Sequence, residues 1–283
     1  MKTASLLVMV GGASSRMKKS LDRVNLNPEI RSLAAAVHKS LVPVDTKGNP
    51  LLYFLLRNAH RAGIREVFLI TSPENKAFTS FVSELKKTSW GTEMRIELAV
   101  QYPPEQGVKP LGTADAVFQC LEQFPQLKKS RFLVCNGDNV YSKEAFRDLY
   151  SQGEFRHSLI AYHGKSLGHP LEKILRFSLL DFDQNHALIS IIEKPDEEEL
   201  SAYKSRHTSL WVSMNIFQFE GEEIYPFLRD CPIDPIRNEK ELPTAVSQLI
   251  ADKPGSVVCM ERSEKVPDLT SAQDLDSLSA QLQ

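Results

Sequence analysis

The sequence predicts an α/β protein built on a mainly parallel sheet wrapped by helices, with a mixed, partly antiparallel elaboration in its second half. Three observations carry this expectation. An apolar run, Leu6 to Val10, opens directly into the small-residue loop Gly11-Gly12-Ala13-Ser14-Ser15 and ends in Arg16-Met17. Short apolar runs and helix-period stretches then alternate through residues 1–150, the order that wraps helices around parallel strands. After that the alternation lapses into strand-like stretches that follow one another.

In chain order, Leu6 to Val10 reads as a buried strand. Leu51 to Ala62 has helix-spaced apolar residues and stops at Gly63, and Glu66 to Thr71 is a strand. Asn75 to Lys87 places Phe78, Phe81, Val82 and Leu85 on one helical face, which we read as core. Met94 to Gln101 alternates as a strand, Thr113 to Phe124 is helical, and Arg131 to Cys135 is a short buried strand. Ser158 to Tyr162, Ala187 to Ile192 and Leu210 to Phe219 read as added strands, and Glu241 to Ala251 and Ser271 to Leu282 as helices. The acidic run Asp196 to Glu199 reads as a solvated helix start. With no linker or repeat, the simplest organisation is one Rossmann-like domain over 1–283, with halves at 1–150 and 151–283. Such sheets bind ligands beyond the carboxyl ends of their strands, where the Gly11 loop, Gln101 and Asn136-Gly137-Asp138 all fall.

Composition narrows the class. The chain has 283 residues, 42% hydrophobic and 25% charged, enough for one large core or two modest ones. A formal net charge of -2, with Lys and Arg in pairs rather than stripes, argues against nucleic acid as the main partner. No apolar stretch approaches the roughly 20 residues that span a bilayer, and the N-terminus shows no cleavable signal pattern, so a cytoplasmic location is expected. Cys120, Cys135, Cys231 and Cys259 lie too far apart for a zinc knuckle and read as buried thiols. The seven histidines show no paired metal spacing. With no heptad or exposed apolar stripe, a homo-oligomer is neither required nor ruled out.

The loop after the first strand suits a phosphate, because small residues let backbone N–H groups approach phosphate oxygens and Arg16 adds a planar fork of donors. Its spacing is neither that of a Walker A loop nor that of a dinucleotide fingerprint, which leaves a nicotinamide-dependent oxidoreductase as a remote reading.

The motifs, in order, resemble those of sugar-1-phosphate nucleotidyltransferases. Gly12, Ser14, Ser15, Arg16 and Met17 fit that family's loop, and His38-Lys39-Ser40-Leu41-Val42-Pro43-Val44 resembles its Pro-Lys-x-Leu-Leu-Pro-Val segment. Pro110-Leu111-Gly112-Thr113-Ala114-Asp115-Ala116 resembles its Gly-Thr-Ala-x-Ala helix entry, and Ile192-Glu193-Lys194-Pro195 its Glu-Lys-Pro segment. Val212-Ser213-Met214-Asn215-Ile216 resembles the sugar-contacting strand of the glucose-1-phosphate adenylyltransferase branch, with Asn215 where Gly is usual. Pro267 to Leu275 resembles the terminal Asp-x-Gly-Thr-x-x-x-Leu segment, although Leu269 precedes Thr270 where that family has a glycine turn.

The resemblance implies a transfer of a nucleotidyl group from a nucleoside triphosphate to a sugar 1-phosphate, with release of pyrophosphate, and makes 1–150 the nucleotide-binding half and 151–283 the sugar-phosphate-binding half. It implies nucleotide contacts from Gly11, Gly12, Ala13, Ser14, Ser15, Gln101, Gly112 and Thr113, with Gln101 reading the base. Arg16 and Lys39 take the triphosphate, Glu193, Lys194 and Ser213 the sugar phosphate, and Asp138 and Asp268 a Mg2+ cofactor. Arg16, Lys39 and Asp138 form the catalytic set, with Lys18 or Lys19 as competitors for the lysine role and a helix N-terminal acid as the alternative for Asp268. Lys18 to His38 is expected to form a mobile flap. Two further readings stay open: a cytidylyl- or guanylyltransferase acting on another phosphorylated acceptor, and a catalytically weak nucleotide-sugar-binding regulatory subunit.

Overall fold

The computed structural model describes residues 4–24, 27–105, 108–151 and 156–282. Its strands are β1 (Ser5–Met9), β2 (Glu66–Thr71), β3 (Arg95–Val100), β4 (Arg131–Asn136), β5 (His157–His163), β6 (Leu179–Phe182), β7 (Leu188–Ile192), β8 (Trp211–Glu220) and β9 (Val257–Arg262). Its helices are α1 (Ser15–Ser20), α2 (Pro28–Ala36), α3 (Leu51–Ala62), α4 (Lys76–Leu85), α5 (Thr113–Gln123), α6 (Lys143–Ser151), α7 (Leu171–Ile174), α8 (Glu197–Arg206), α9 (Gly221–Arg229), α10 (Leu242–Asp252) and α11 (Asp274–Leu282).

The strands form one sheet in the order β3-β2-β1-β4-β8-β5-β9, with β6 and β7 appended through β8. β3, β2, β1 and β4 run parallel in register, Met9 opposite Ile70 and Asn136, so their carboxyl ends share one edge. β8 is antiparallel to both β4 and β5, which interleaves the two halves of the chain, and β9 returns parallel to β5. This is the mainly parallel α/β sheet with an antiparallel elaboration that the sequence predicts.

The apolar runs are explained by burial on both faces. Successive residues of a strand point to opposite sides. Leu6 and Val8, Val67 and Leu69, and Leu133 and Cys135 therefore meet α3, α4 and α6 on one face. Leu7, Phe68 and Ile70, and Phe132 and Val134 meet α5, α9 and α10 on the other. Phe78 and Leu85 are buried in the first of these cores, and all four cysteines are buried thiols.

A third core lies at the site end of the sheet. Met17 and Leu21 after β1, Ala34 of α2, Val42 and Val44, and Leu269, Ala272, Leu275 and Leu278 around α11 pack together there. The segment 18–38 is thus built of α1, a short 3-10 turn and α2 docked on this core, with Asn25 and Leu26 outside the described residues. The expected helix at Ser271 begins at Asp274; before it the chain makes a tight turn, with the Asp274 N–H bonded to the Ser271 carbonyl at 3.1 Å and the Asp274 carboxylate accepting the Ser271 N–H at 2.7 Å. Among the described residues, no helix is long and apolar enough to cross a membrane.

Candidate active site

The loop after β1 is held from both sides. Val10 donates to the Ile70 carbonyl at 2.8 Å, which keeps Gly11 against the end of β2. Ser14 adopts a left-handed conformation with φ of 54° and is buried, and its Oγ accepts the backbone N–H of Lys39 at 3.1 Å. Gly12, Ala13 and Ser15 stay exposed at the surface of the loop, as does Arg16 at the start of α1.

Lys39 forms an ion pair with Asp138. Lys18 and Lys19 are exposed on α1 and have no ion pair among the described residues. Asp138 follows β4 through Gly137, whose N–H reaches the Met9 carbonyl at 3.0 Å. A Cβ at Gly137 would overlap the Val10 side chain, so only glycine lets β4 leave the sheet here.

Asp268 is brought opposite by a short antiparallel pairing, in which Val140 donates to Pro267 and Leu269 to the Asp138 carbonyl, each at 2.9 Å. The Asp268 carboxylate accepts from Thr270 Oγ1 at 2.7 Å and Asn139 Nδ2 at 3.3 Å, and Lys173 Nζ lies 3.4 Å away. Burial pushes its carboxyl above the usual carboxylate range, and the charge on Asp138 acts the same way. Asp268 lies six residues before α11, and the acid at the start of that helix is Asp274, whose carboxylate accepts the Ser271 N–H at 2.7 Å.

Arg16, Asp138, Ser213 and Asp268 line one open cavity of about 490 Å³. Ser213 enters it from β8, where the pairing with β5 carries two extra residues between Ser213 and Phe217. Asn215 sits in this bulge with φ of 55° and donates its N–H to Ser213 Oγ at 3.1 Å. The left-handed conformation accounts for glycine being usual at this point in the resembling strands, since Asn is one of the few other residues that tolerates it.

A second group lies at the ends of β3 and the start of α5. Gly112 has φ of 100°, and a Cβ there would come within 2.7 Å of the Lys240 carbonyl. Thr113 Oγ1 accepts the N–H of Leu242 at 2.8 Å, and buried Gln101 donates to the Gly112 carbonyl at 2.9 Å. The third group is Glu193 and Lys194 after β7. Glu193 pairs with Arg237 at 3.3 Å, and Arg237 with Glu241 at 2.9 Å. Glu193 and Lys194 do not line the Asp138 cavity.

Among the described residues no cluster of three or more His, Cys, Asp and Glu could hold a metal ion. A pair of carboxylates facing one cavity is nonetheless a fitting donor set for Mg2+, which is commonly held by one or two carboxylates and completed by substrate phosphates and water.

A family model described as nucleotidyl transferase matches residues 29–280. The chain belongs to the nucleotidyl transferase family. The match begins beyond the Gly11 loop and takes in Lys39, Gln101, Asp138, Glu193 and Asp268. The chain is 28% identical over 193 residues to glucose-1-phosphate thymidylyltransferase of Neisseria gonorrhoeae, covering 68% of the chain and 56% of that protein. It is 25% identical over 191 residues to glucose-1-phosphate adenylyltransferase of Enterobacter sp. (strain 638), covering 64% of the chain and 41% of that protein. The chain thus spans about half the length of these curated relatives. Its fold is similar to that of a UDP-glucose pyrophosphorylase complexed with UDP-glucose, with a TM-score of 0.73, 13% identity and coverage of 99% and 98% of the two chains. It is also similar to a protein described as a glucose-1-phosphate thymidylyltransferase from Bacillus anthracis, with a TM-score of 0.68, 18% identity and coverage of 99% and 95%.

Several residues that line the Asp138 cavity or border the third group carry no sequence signal. Arg23, Lys173 and Arg176 line the cavity, and Lys173 also approaches Asp274 at 3.6 Å. Lys173 and Arg176 lie on and just after the one-turn helix α7, too short to have a readable period. For Arg237, the Arg-x-x-x-Glu spacing to Glu241 was available, but its partner Glu193 is remote in sequence.

Proposed function

We infer that this nucleotidyl transferase joins a nucleoside monophosphate from a nucleoside triphosphate to a sugar 1-phosphate, giving a nucleoside-diphosphate sugar and pyrophosphate. The observation that carries this reading is the Lys39–Asp138 pair facing Asp268 across a cavity also lined by Arg16 and Ser213. The names of the curated relatives, which act on glucose 1-phosphate, support the acceptor class.

A phosphate monoester is already an anionic nucleophile at neutral pH, so the chemistry calls for alignment and charge neutralisation rather than a general base. An oxygen of the acceptor phosphate attacks the α-phosphorus, and the bond to the β-phosphate bridging oxygen breaks to release pyrophosphate. Two unit charges about 4 Å apart repel by on the order of 4 kcal/mol at an effective dielectric of 20. Asp138 and Asp268 are the residues that would hold a Mg2+, which would supply counter-charge to the phosphates.

In this reading, Lys39 moves from Asp138 to the triphosphate, and Arg16 holds the departing pyrophosphate. The backbone of Gly11 to Ser15 approaches the phosphates, and Gln101 faces the base beside Gly112 and Thr113. Glu193 takes sugar hydroxyls, Lys194 the acceptor phosphate, and Ser213 lines the acceptor side. Location in the cytoplasm fits the soluble substrates.

The test is pyrophosphate release with magnesium across five nucleoside triphosphates and a panel of sugar 1-phosphates, with every single-substrate blank. Release that requires one particular pair supports the reading and names both substrates. Silence across the grid with nucleotide binding intact overturns it in favour of a regulatory, nucleotide-sugar-binding role, and release with only non-sugar phosphorylated acceptors points to the cytidylyl- or guanylyltransferase alternative.

A further inference from the structure

Asp115, Gln119 and Gln123 follow one another at four-residue spacing along one face of α5 and hold the backbone that leaves β3. Gln123 accepts the Val100 N–H at 2.9 Å and donates to the Val100 carbonyl at 2.7 Å. Gln119 does the same for Tyr102, at 2.9 Å in each direction. Between them, Gln101 Nε2 donates to the Gly112 carbonyl at 2.9 Å and to Asp115 Oδ2 at 2.8 Å, and that carboxylate oxygen also accepts from Gln119 Nε2 at 2.9 Å.

A backbone carbonyl and a carboxylate only accept, so the polarity of the Gln101 amide is chemically fixed. Both of its N–H bonds are committed, and its carbonyl Oε1 has no donor among the described residues. Gln101 is 5% and Asp115 7% exposed, so a reversed amide would leave acceptor facing acceptor where water cannot compensate. Oε1 itself is not sealed off, since it is absent from the buried polar atoms that lack a partner.

We propose that Asp115 is a positioning residue that fixes Gln101 as a hydrogen-bond acceptor, so that the nucleotide site takes its base through a base N–H. This rests on the reading of Gln101 as the base-facing residue. A freely turning amide presents acceptor and donor side by side and matches a base carbonyl as readily as an N–H. With the donor side committed to Asp115 and Gly112, one acceptor remains. It suits the N3–H of uracil or thymine, the N1–H of guanine, or an exocyclic amine, and any adjacent base carbonyl or ring nitrogen must be met by another group.

The experiment is calorimetric binding, with magnesium, of the five nucleoside triphosphates to the unaltered protein, to Asp115→Asn and to Gln101→Leu. Inorganic tripolyphosphate probes the phosphate subsite alone. An analogue of the preferred nucleotide, with its base N–H replaced by C–H, is added to the set. We expect the analogue to bind the unaltered protein about ten-fold or more weakly. An asparagine at 115 can donate as well as accept, so Gln101 can turn over. Asp115→Asn should therefore narrow the preference for the best base over the next by about ten-fold, with tripolyphosphate affinity and melting temperature unchanged. Undiminished binding of the analogue to the unaltered protein overturns the acceptor assignment without relying on any variant. An unchanged base preference in folded Asp115→Asn overturns the role of Asp115. An unchanged preference in Gln101→Leu overturns the base-facing reading beneath it.

Discussion

Ser14 Oγ accepts the backbone N–H of Lys39 at 3.1 Å, tying the loop after β1 to the segment whose side chain pairs with Asp138. Ser14 is buried, so Ser14→Ala would leave the Lys39 N–H without an acceptor, a loss on the order of 1–3 kcal/mol. Loop and lysine would then position the triphosphate less well together. We expect kcat/KM for the nucleotide to fall about ten-fold or more, read from steady-state pyrophosphate release. An unchanged kcat/KM would separate the loop from Lys39.

Asp138→Asn keeps the shape of the side chain and removes its charge. The backbone carbonyl of Asp138, not its carboxylate, accepts the Leu269 N–H, so the pairing that places Asp268 survives. Turnover should drop by about 10²-fold or more while the melting temperature stays within a few degrees. Near-normal rates would remove Asp138 from the metal site.

Leu269 is fully buried in the third core, where a glycine turn is usual in the resembling segments. Leu269→Ala should destabilise the protein by about 2–5 kcal/mol through the lost transfer energy and the cavity left behind. Urea unfolding checks this, and a change under 1 kcal/mol would mean that the surrounding helices close the gap.

His157 is buried at the start of β5, and burial pulls its pKa from 6.5 down to about 4, with Lys253, Arg156 and Arg131 adding to the effect. The unfolded chain therefore binds this proton more readily than the folded one between those values. Stability from the neutral ring is fully present above pH 6.5 and is lost as pH falls towards 4, by on the order of 3 kcal/mol. His157→Gln should flatten the stability profile in that window, and an equal slope in both proteins would refute the assignment.

Legibility in the sequence followed burial and position. β1, β2 and β4 were readable because strands buried on both faces are continuous apolar runs. β6 escaped because it has four residues and carries Asp181, whose buried carboxylate is balanced by Arg206 and His207 at 2.7 and 2.8 Å. α9 carries an internal Pro226, which masked its helical period. At the site, Asp138 and Asp268 stood out through the motifs around them. Lys173 and Arg237 did not, because their partners lie far away along the chain and only the folded backbone brings them together.

The third core ties Met17 and Leu21 to residues that follow them by about 250 positions, Leu269, Ala272 and Leu275. Met17 and Leu21 are covered first by Ala34, Val42 and Val44 and only later by Leu269, Ala272 and Leu275, and Asp138 has no facing carboxylate among the described residues until Asp268 arrives. At a ribosome adding about 5–20 residues per second, a nascent chain that has already paired β1, β2 and β4 therefore waits on the order of ten seconds for its second carboxylate. The parallel sheet can form early, whereas the pair of facing carboxylates is complete only once residue 268 has been added.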